Sequence, residues 1–178
     1  FFLFLETKTI EFDEKDDDFE WYDQKLLDAI KNKDKDVANF FSLLSLCHTV
    51  MPEEKDGKLA YQAQSPDENA LVSAARTFGF VFLVRKQKKR QFFLYKNLSF
   101  YPIESTQSSI TVRLNDKEET FDLLNILDFD NDRKRMSVIV RKNGKITLYC
   151  KGADSKIKER LDPSEKNIMA ETDEHLNV

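Results

Sequence analysis

The chain has 178 residues, close to the size of one domain, and 28 Lys+Arg against 32 Asp+Glu give it a net charge of −4. Charged residues make up 34% and hydrophobic ones 40%, and fifteen Phe supply large burial units for a core. This balance excludes a collagen, a long disordered chain and a nucleic-acid binder that relies on excess positive charge. The only four glycines are Gly57, Gly79, Gly144 and Gly152. Their spacing excludes the G-x-x-x-x-G-K-[ST] and G-x-G-x-x-G loops, so any nucleotide must be held without either phosphate cradle.

In chain order, Phe1–Leu5 is too short for a signal peptide's apolar region and lacks a basic lead, and no Met begins the chain. We expect a piece of a longer protein, with residues 1–18 as an extension or linker ending in the acidic run 13–18. Leu26, Leu27 and Ile30 indicate a short amphipathic helix. Asp36 is the candidate N-cap of a second, whose apolar side is Phe40, Phe41, Leu43, Leu44, Leu46 and Cys47. Pro52 and Gly57 mark a loop, and Leu59, Tyr61 and Ala63 alternate as in a strand. Ser65-Pro66-Asp67-Glu68 has the form of a capping box, opening a helix through Ala70, Leu71, Ala74, Ala75 and Phe78 that ends at Gly79.

Phe80–Val84 then reads as a strand. Residues 85–90, Arg85-Lys86-Gln87-Lys88-Lys89-Arg90, read as a basic hairpin tip or loop. Phe92–Tyr95, Leu98–Tyr101, Ile110–Leu114, Thr120–Phe129 and Met136–Arg141 form further strands. Asn143-Gly144 is a type I′ signal joining Met136–Arg141 to Ile146–Cys150. Ala153–Leu161 reads as a helix, and Asp162-Pro163-Ser164-Glu165 opens another toward Leu176. Consecutive strands flanked by helices predict an α+β fold built on a mainly antiparallel sheet.

No apolar run reaches the roughly 18 residues of a membrane span. Cys47 and Cys150, the only two cysteines, lie in apolar stretches and are expected to be reduced thiols in a cytosolic setting. His48 and His175 are the only histidines, and with no C-x-x-C or H-x-x-x-H spacing we expect no metal site. No G-x-S-x-G elbow occurs and no catalytic residue is assigned. The basic stretch 85–90 supports an alternative reading: a non-enzymatic module docking on acidic lipid or a protein partner. Three segments end predicted strands and so can share one rim: 65–71, 127–137 and 149–154. There Phe129 offers an aromatic face for a base, Lys151 a cation, and Gly152 a close approach to the backbone.

These segments, in this order, resemble the nucleotide-binding domain of type IV P-type ATPases, the phospholipid flippases. "SPDENALVSAARTFGFVF", "ILDFDNDRKRMSVIVR" and "LYCKGADSKIKERL" carry the resemblance, and "FFSLLSLCHTV" matches the preceding helix. It covers roughly residues 19–84 and 120–178, making 19–178 a single domain with a long basic insertion at about 86–118. Asn69 stands where the family often has Gly. The chain ends before the family's next Arg-containing segment, and the phosphorylated-aspartate motif D-K-T-G-T is absent from it.

The resemblance implies a cytosolic domain of an integral membrane protein that positions Mg·ATP for phosphorylation of an Asp on a separate domain. It implies no turnover by this chain alone. The phosphorylation and actuator domains of the parent pump would be its partners, Mg²⁺ would arrive with the nucleotide, and the isolated domain would be a monomer. The same resemblance makes Phe129 the adenine-stacking ring, puts Lys151 and Gly152 at the pocket floor, and gives Glu68 a contact to the nucleotide or its water. Arg135, Met136 and Ser137 would lie nearby on the next strand. Without a glycine-loop cradle, binding should be weak, near 1 mM or roughly −4 kcal/mol.

Overall fold

The computed structural model describes residues 23–87, 108–114, 117–165 and 172–174. Its helices are α1 (Gln24–Lys31), α2 (Lys35–Leu46), α3 (Pro66–Thr77) and α4 (Asp154–Lys158). Its strands are β1 (Met51–Lys55), β2 (Lys58–Gln62), β3 (Phe80–Lys86), β4 (Ser109–Leu114), β5 (Lys117–Leu127), β6 (Arg135–Lys142) and β7 (Lys145–Gly152). β3 to β7 form an antiparallel meander in chain order, and β1 and β2 form a separate antiparallel hairpin. The α+β class with a mainly antiparallel sheet is therefore observed. The expected strands at Phe92–Tyr95 and Leu98–Tyr101, most of the basic insertion and the acidic run lie outside the described residues.

Local chemistry explains the element ends. The Asp23 carboxylate accepts from the N–H groups of Lys25 and Leu26 and starts α1. Asp34, not the expected Asp36, caps α2, accepting from the N–H groups of Asp36 and Val37 at 2.9 and 3.1 Å. Asp36 instead falls in the first turn, where its charge favours the positive helix end. Gly79 follows α3 at φ +86°, the left-handed conformation expected of it. Asn143 and Gly144, at φ +50° and +79°, turn β6 into β7 as the sequence indicates.

Two expectations fail here. The stretch around Pro52 is not a loop but the strand β1, joined to β2 by Asp56-Gly57 at φ +53° and +74°. Proline is tolerated because β2 is the only strand that pairs with β1 among the described residues. The helix expected over Ala153–Leu161 is the shorter α4, because Arg160 and Leu161 bond back to carbonyls three residues earlier. The helix expected from Asp162 toward Leu176 begins as a 3₁₀ turn, Pro163–Glu165, with the Asp162 carboxylate accepting from Ser164, and residues 172–174 are helical. Its continuation toward Leu176 is mostly outside the described residues.

α2 and α3 pack on each other and on β3, and α1 packs on α2. One core cluster joins Leu46, Cys47, Val50 and Val72 to Phe82, Val112, Phe121, Met136, Val138 and Val140. A second, beneath the helices, holds Leu27, Phe41, Leu44, Ala75, Phe78 and Phe80. Phe41 stacks on Phe80 with centroids 5.2 Å apart and meets Phe78 at 4.9 Å. On β6 the residues alternate: Met136, Val138 and Val140 face the helices, which turns Arg135, Ser137 and Ile139 to the opposite face.

Candidate nucleotide cleft

A cleft of about 810 Å³ opens at the rim where α3 begins and β5, β6 and β7 have their ends. Glu68 and Leu71 enter it from α3, Phe129 from beyond β5, Met136 from β6, and Lys151 and Gly152 from β7. Met136 and Lys151 are direct cross-strand partners and so lie side by side on the helix-facing side.

The floor is a hydrogen-bonded triad built on one ion pair. The Lys151 ammonium lies 3.4 Å from Glu68 Oε1, and the Thr49 hydroxyl donates to Glu68 Oε2 at 2.6 Å. The Glu68 and Lys151 side chains are only 11% and 19% exposed, which strengthens their attraction. Glu68 therefore does not close the expected capping box, and Ser65 makes no side-chain cap bond either. Pro66 stands at the start of α3, where its missing N–H costs no intrahelical hydrogen bond. The carboxylate is left to the tertiary contact.

The mouth is aromatic. Phe129 is 57% exposed, and a tight turn behind it fixes the segment that bears it. The Asp130 carboxylate accepts from the Arg133 N–H at 2.6 Å, its carbonyl accepts from the Lys134 N–H, and Arg133 reaches the Asp128 carbonyl at 3.2 Å. Lys134 closes the turn at φ +53°.

Gly152 lines the cleft with backbone, but its missing side chain serves a different neighbour from the one expected. A Cβ there would lie 2.5 Å from Arg135 Cβ and against the Lys134 carbonyl oxygen. The glycine thus admits the Lys134–Arg135 backbone rather than a ligand.

Arg135 and Ser137 are not in this cleft. The alternation of β6 carries them to the other face of the sheet, where they line a second depression of about 400 Å³ with Arg133, Cys150 and Leu148. Arg135 donates to the Arg133 carbonyl, and Ser137 is 3% exposed. Arg85, expected in the basic tip, is buried in β3. It is thus unavailable to dock on lipid or a partner, while Lys86 and Gln87 are exposed and 88–90 lie outside the described residues.

Thr49 and Gln64 lie outside the segments expected at the rim, and Ser65, Asp67, Leu71 and Asp128 lie within them without an assigned role in binding; all six line the cleft. Thr49 follows a helix end and has no periodic pattern to mark it. Leu71 reads as helix core but is 39% exposed at the cleft. Cys47 and Cys150 are free thiols, as expected. Burial pushes the Cys47 thiol up to about 11 and so keeps it protonated.

Residues 36–176 match the family described as P-type ATPase, cytoplasmic domain N. Phospholipid-transporting ATPase IC of Xenopus tropicalis is 50% identical over 165 residues, which is 92% of this chain and 12% of that protein. Phospholipid-transporting ATPase ID of Mus musculus is 49% identical over 164 residues, 91% of this chain and again 12% of the relative. Phospholipid-transporting ATPase FetA of Mus musculus is 48% identical over the same shares. The chain thus spans about an eighth of the length of these relatives. With the family match covering most of its length, the chain belongs to the P-type ATPase cytoplasmic N domain family.

Proposed function

We propose that this chain is the ATP-binding domain of a phospholipid-transporting P-type ATPase and presents Mg·ATP to an aspartate on a separate domain. The observation that carries this reading is the meeting, in one cleft, of an exposed aromatic face with a half-buried Lys–Glu pair. Adenine is flat and apolar on its faces and polar on its edge. Phe129, Leu71 and Met136 suit the faces, and Glu68, Thr49 and Lys151 suit the edge. Arg135 and Ser137, on the opposite face, are left out of the site.

Asp67, Glu68 and Asp128 stand around the cleft against the single cation Lys151 among its described lining residues. A triphosphate is therefore disfavoured deep in the cleft and belongs at its mouth, where water and Mg²⁺ offset its charge. The residues thus hold the base and leave the reacting end of the nucleotide free. This suits phosphoryl transfer completed by another domain, in which positioning and the metal supply most of the catalysis. Stacking contributes on the order of 0.5–1.5 kcal/mol beyond area burial, consistent with weak binding and ready release of ADP.

The test is a ¹H–¹⁵N spectrum titrated with Mg·ATP and, in parallel, Mg·GTP. We expect shifts concentrated at Thr49, Glu68, Phe129 and Lys151, larger for ATP. Shifts confined to the second depression, around Arg135 and Ser137, or none at several millimolar, would reject the assignment.

A further inference from the structure

The floor of the cleft is tied to a side chain outside it. Arg85 lies in β3 with only 8% of its surface exposed. Its Nη2 donates to the His48 carbonyl at 2.6 Å and its Nη1 to the Val50 carbonyl at 3.3 Å. Those two carbonyls flank Thr49, whose hydroxyl holds Glu68 Oε2 at 2.6 Å. The His48 ring completes the arrangement: Nε2 lies 2.9 Å from the Ser45 carbonyl and can only donate to it, which leaves Nδ1 as acceptor toward Arg85 Nη2 at 3.3 Å. Phe82 lies beneath the guanidinium, whose carbon is 5.3 Å from the ring centroid.

A buried arginine is a costly way to fill a strand position. Its Nε finds no hydrogen-bond partner among the described residues, and no carboxylate forms an ion pair with it there. An apolar side chain of similar volume would fill the site with less desolvation. What an apolar side chain cannot do is grip two successive-but-one carbonyls with one rigid fork. The grip fixes the 48–50 backbone, and that backbone aims Thr49.

We propose that Arg85 and Thr49 are positioning residues for base selection: Arg85 fixes the His48–Val50 segment, Thr49 fixes the Glu68 carboxylate, and the fixed carboxylate selects adenine. The inference rests on the nucleotide reading above. An ionised carboxylate only accepts hydrogen bonds. Adenine carries an amino donor at C6, whereas guanine and hypoxanthine carry a carbonyl acceptor there. A carboxylate held in place favours the first and repels the other two. A carboxylate free to swing away loses that discrimination, because the wrong base no longer meets it.

The experiment compares affinities of the 178-residue chain for Mg·ATP, Mg·GTP and Mg·ITP by titration calorimetry or amide shifts, alongside thermal midpoints. ITP separates the C6 carbonyl from guanine's extra amino group. We expect Thr49→Val to reduce the ATP-over-ITP preference about tenfold, as loss of one hydrogen bond to a charged group would, and Thr49→Ser to restore it. Arg85→Met should reduce the same ratio with Thr49 intact. Should Arg85→Met fail to fold, the Thr49 pair decides. Phe129→Ala should weaken all three nucleotides alike. A Thr49→Val protein that folds and keeps the wild-type ratio overturns the positioning role and leaves the nucleotide reading standing. Equal wild-type affinity for ATP and ITP does the same. No binding of any nucleotide overturns both.

Discussion

Lys151 and Glu68 are 83 residues apart in the chain and 3.4 Å apart in the fold. The pair joins the last strand of the meander to the first turn of α3 and so spans the cleft floor. Each side chain is mostly withdrawn from water, so removing one strands the other. We predict that Glu68→Ala and Lys151→Ala each lower unfolding stability by about 1–3 kcal/mol. The double variant should cost less than the two together. Urea unfolding of all four proteins without nucleotide, read as a double-mutant cycle, measures the coupling. Strict additivity would mean that the pair is a surface contact of no consequence.

Phe129 should behave in the opposite way. More than half of its surface is already in solvent, so Phe129→Ala should change stability by no more than about 0.5 kcal/mol. The same substitution should weaken Mg·ATP binding by about tenfold, because it removes the aromatic face. Phe129→Trp should retain binding. A large stability loss in Phe129→Ala would make the ring a core residue rather than a platform.

The contrast between these two positions shows what was legible in the sequence. Turn and period signals are local, so Gly79, Asn143-Gly144 and the strands of the meander could be read from letters alone. Glu68 was reached as a cleft residue only through the resemblance, because its capping-box spacing is a local signal that a tertiary contact with Thr49 and Lys151 overrides. Arg85 opens a run of basic letters that hides a strand end, and its burial depends on two carbonyls some 35 residues earlier. Asp56-Gly57 carried a hairpin signal that Pro52 obscured. Arg135 and Ser137 stand beside Met136 in the chain, but the two-residue period of a strand sends them to the other face.

Gly152 offers a steric prediction. Its backbone does not need a left-handed conformation, so the cost of a side chain there is a clash alone. A Cβ would meet Arg135 Cβ at 2.5 Å and Arg135 Cα at 2.7 Å, both short of normal contact. Gly152→Ala should therefore push β7 away from the turn at Lys134 and destabilise the domain by about 1–3 kcal/mol. Amide shifts should centre on Lys134, Arg135 and Ala153, the last of which donates its N–H to the Lys134 carbonyl. A neutral effect on the urea midpoint would show that the turn yields at little cost.

His48 gives the pH prediction. Burial first, and then the Arg85 charge, lower its pKa from 6.5 to about 3. The unfolded chain takes up a proton at this residue near pH 6.5, and the folded chain does so only near 3. Between those values the unfolded state holds more protons, so stability falls as pH falls, and the loss levels off below the folded value. The slope is about 1.4 kcal/mol per pH unit, so roughly 1.4 kcal/mol should be gone at pH 5.5. The His48→Gln variant separates this slope from any other group that titrates between pH 5.5 and 7.5. His48→Gln should lower stability at pH 7.5, because the ring bridges Ser45 and Arg85, and should flatten the slope across the interval. Urea midpoints at pH 7.5, 6.5 and 5.5 measure both effects. Imidazole resonances of His48 that titrate near 6.5 would show instead that the ring is hydrated and does not hold the Arg85 fork in place.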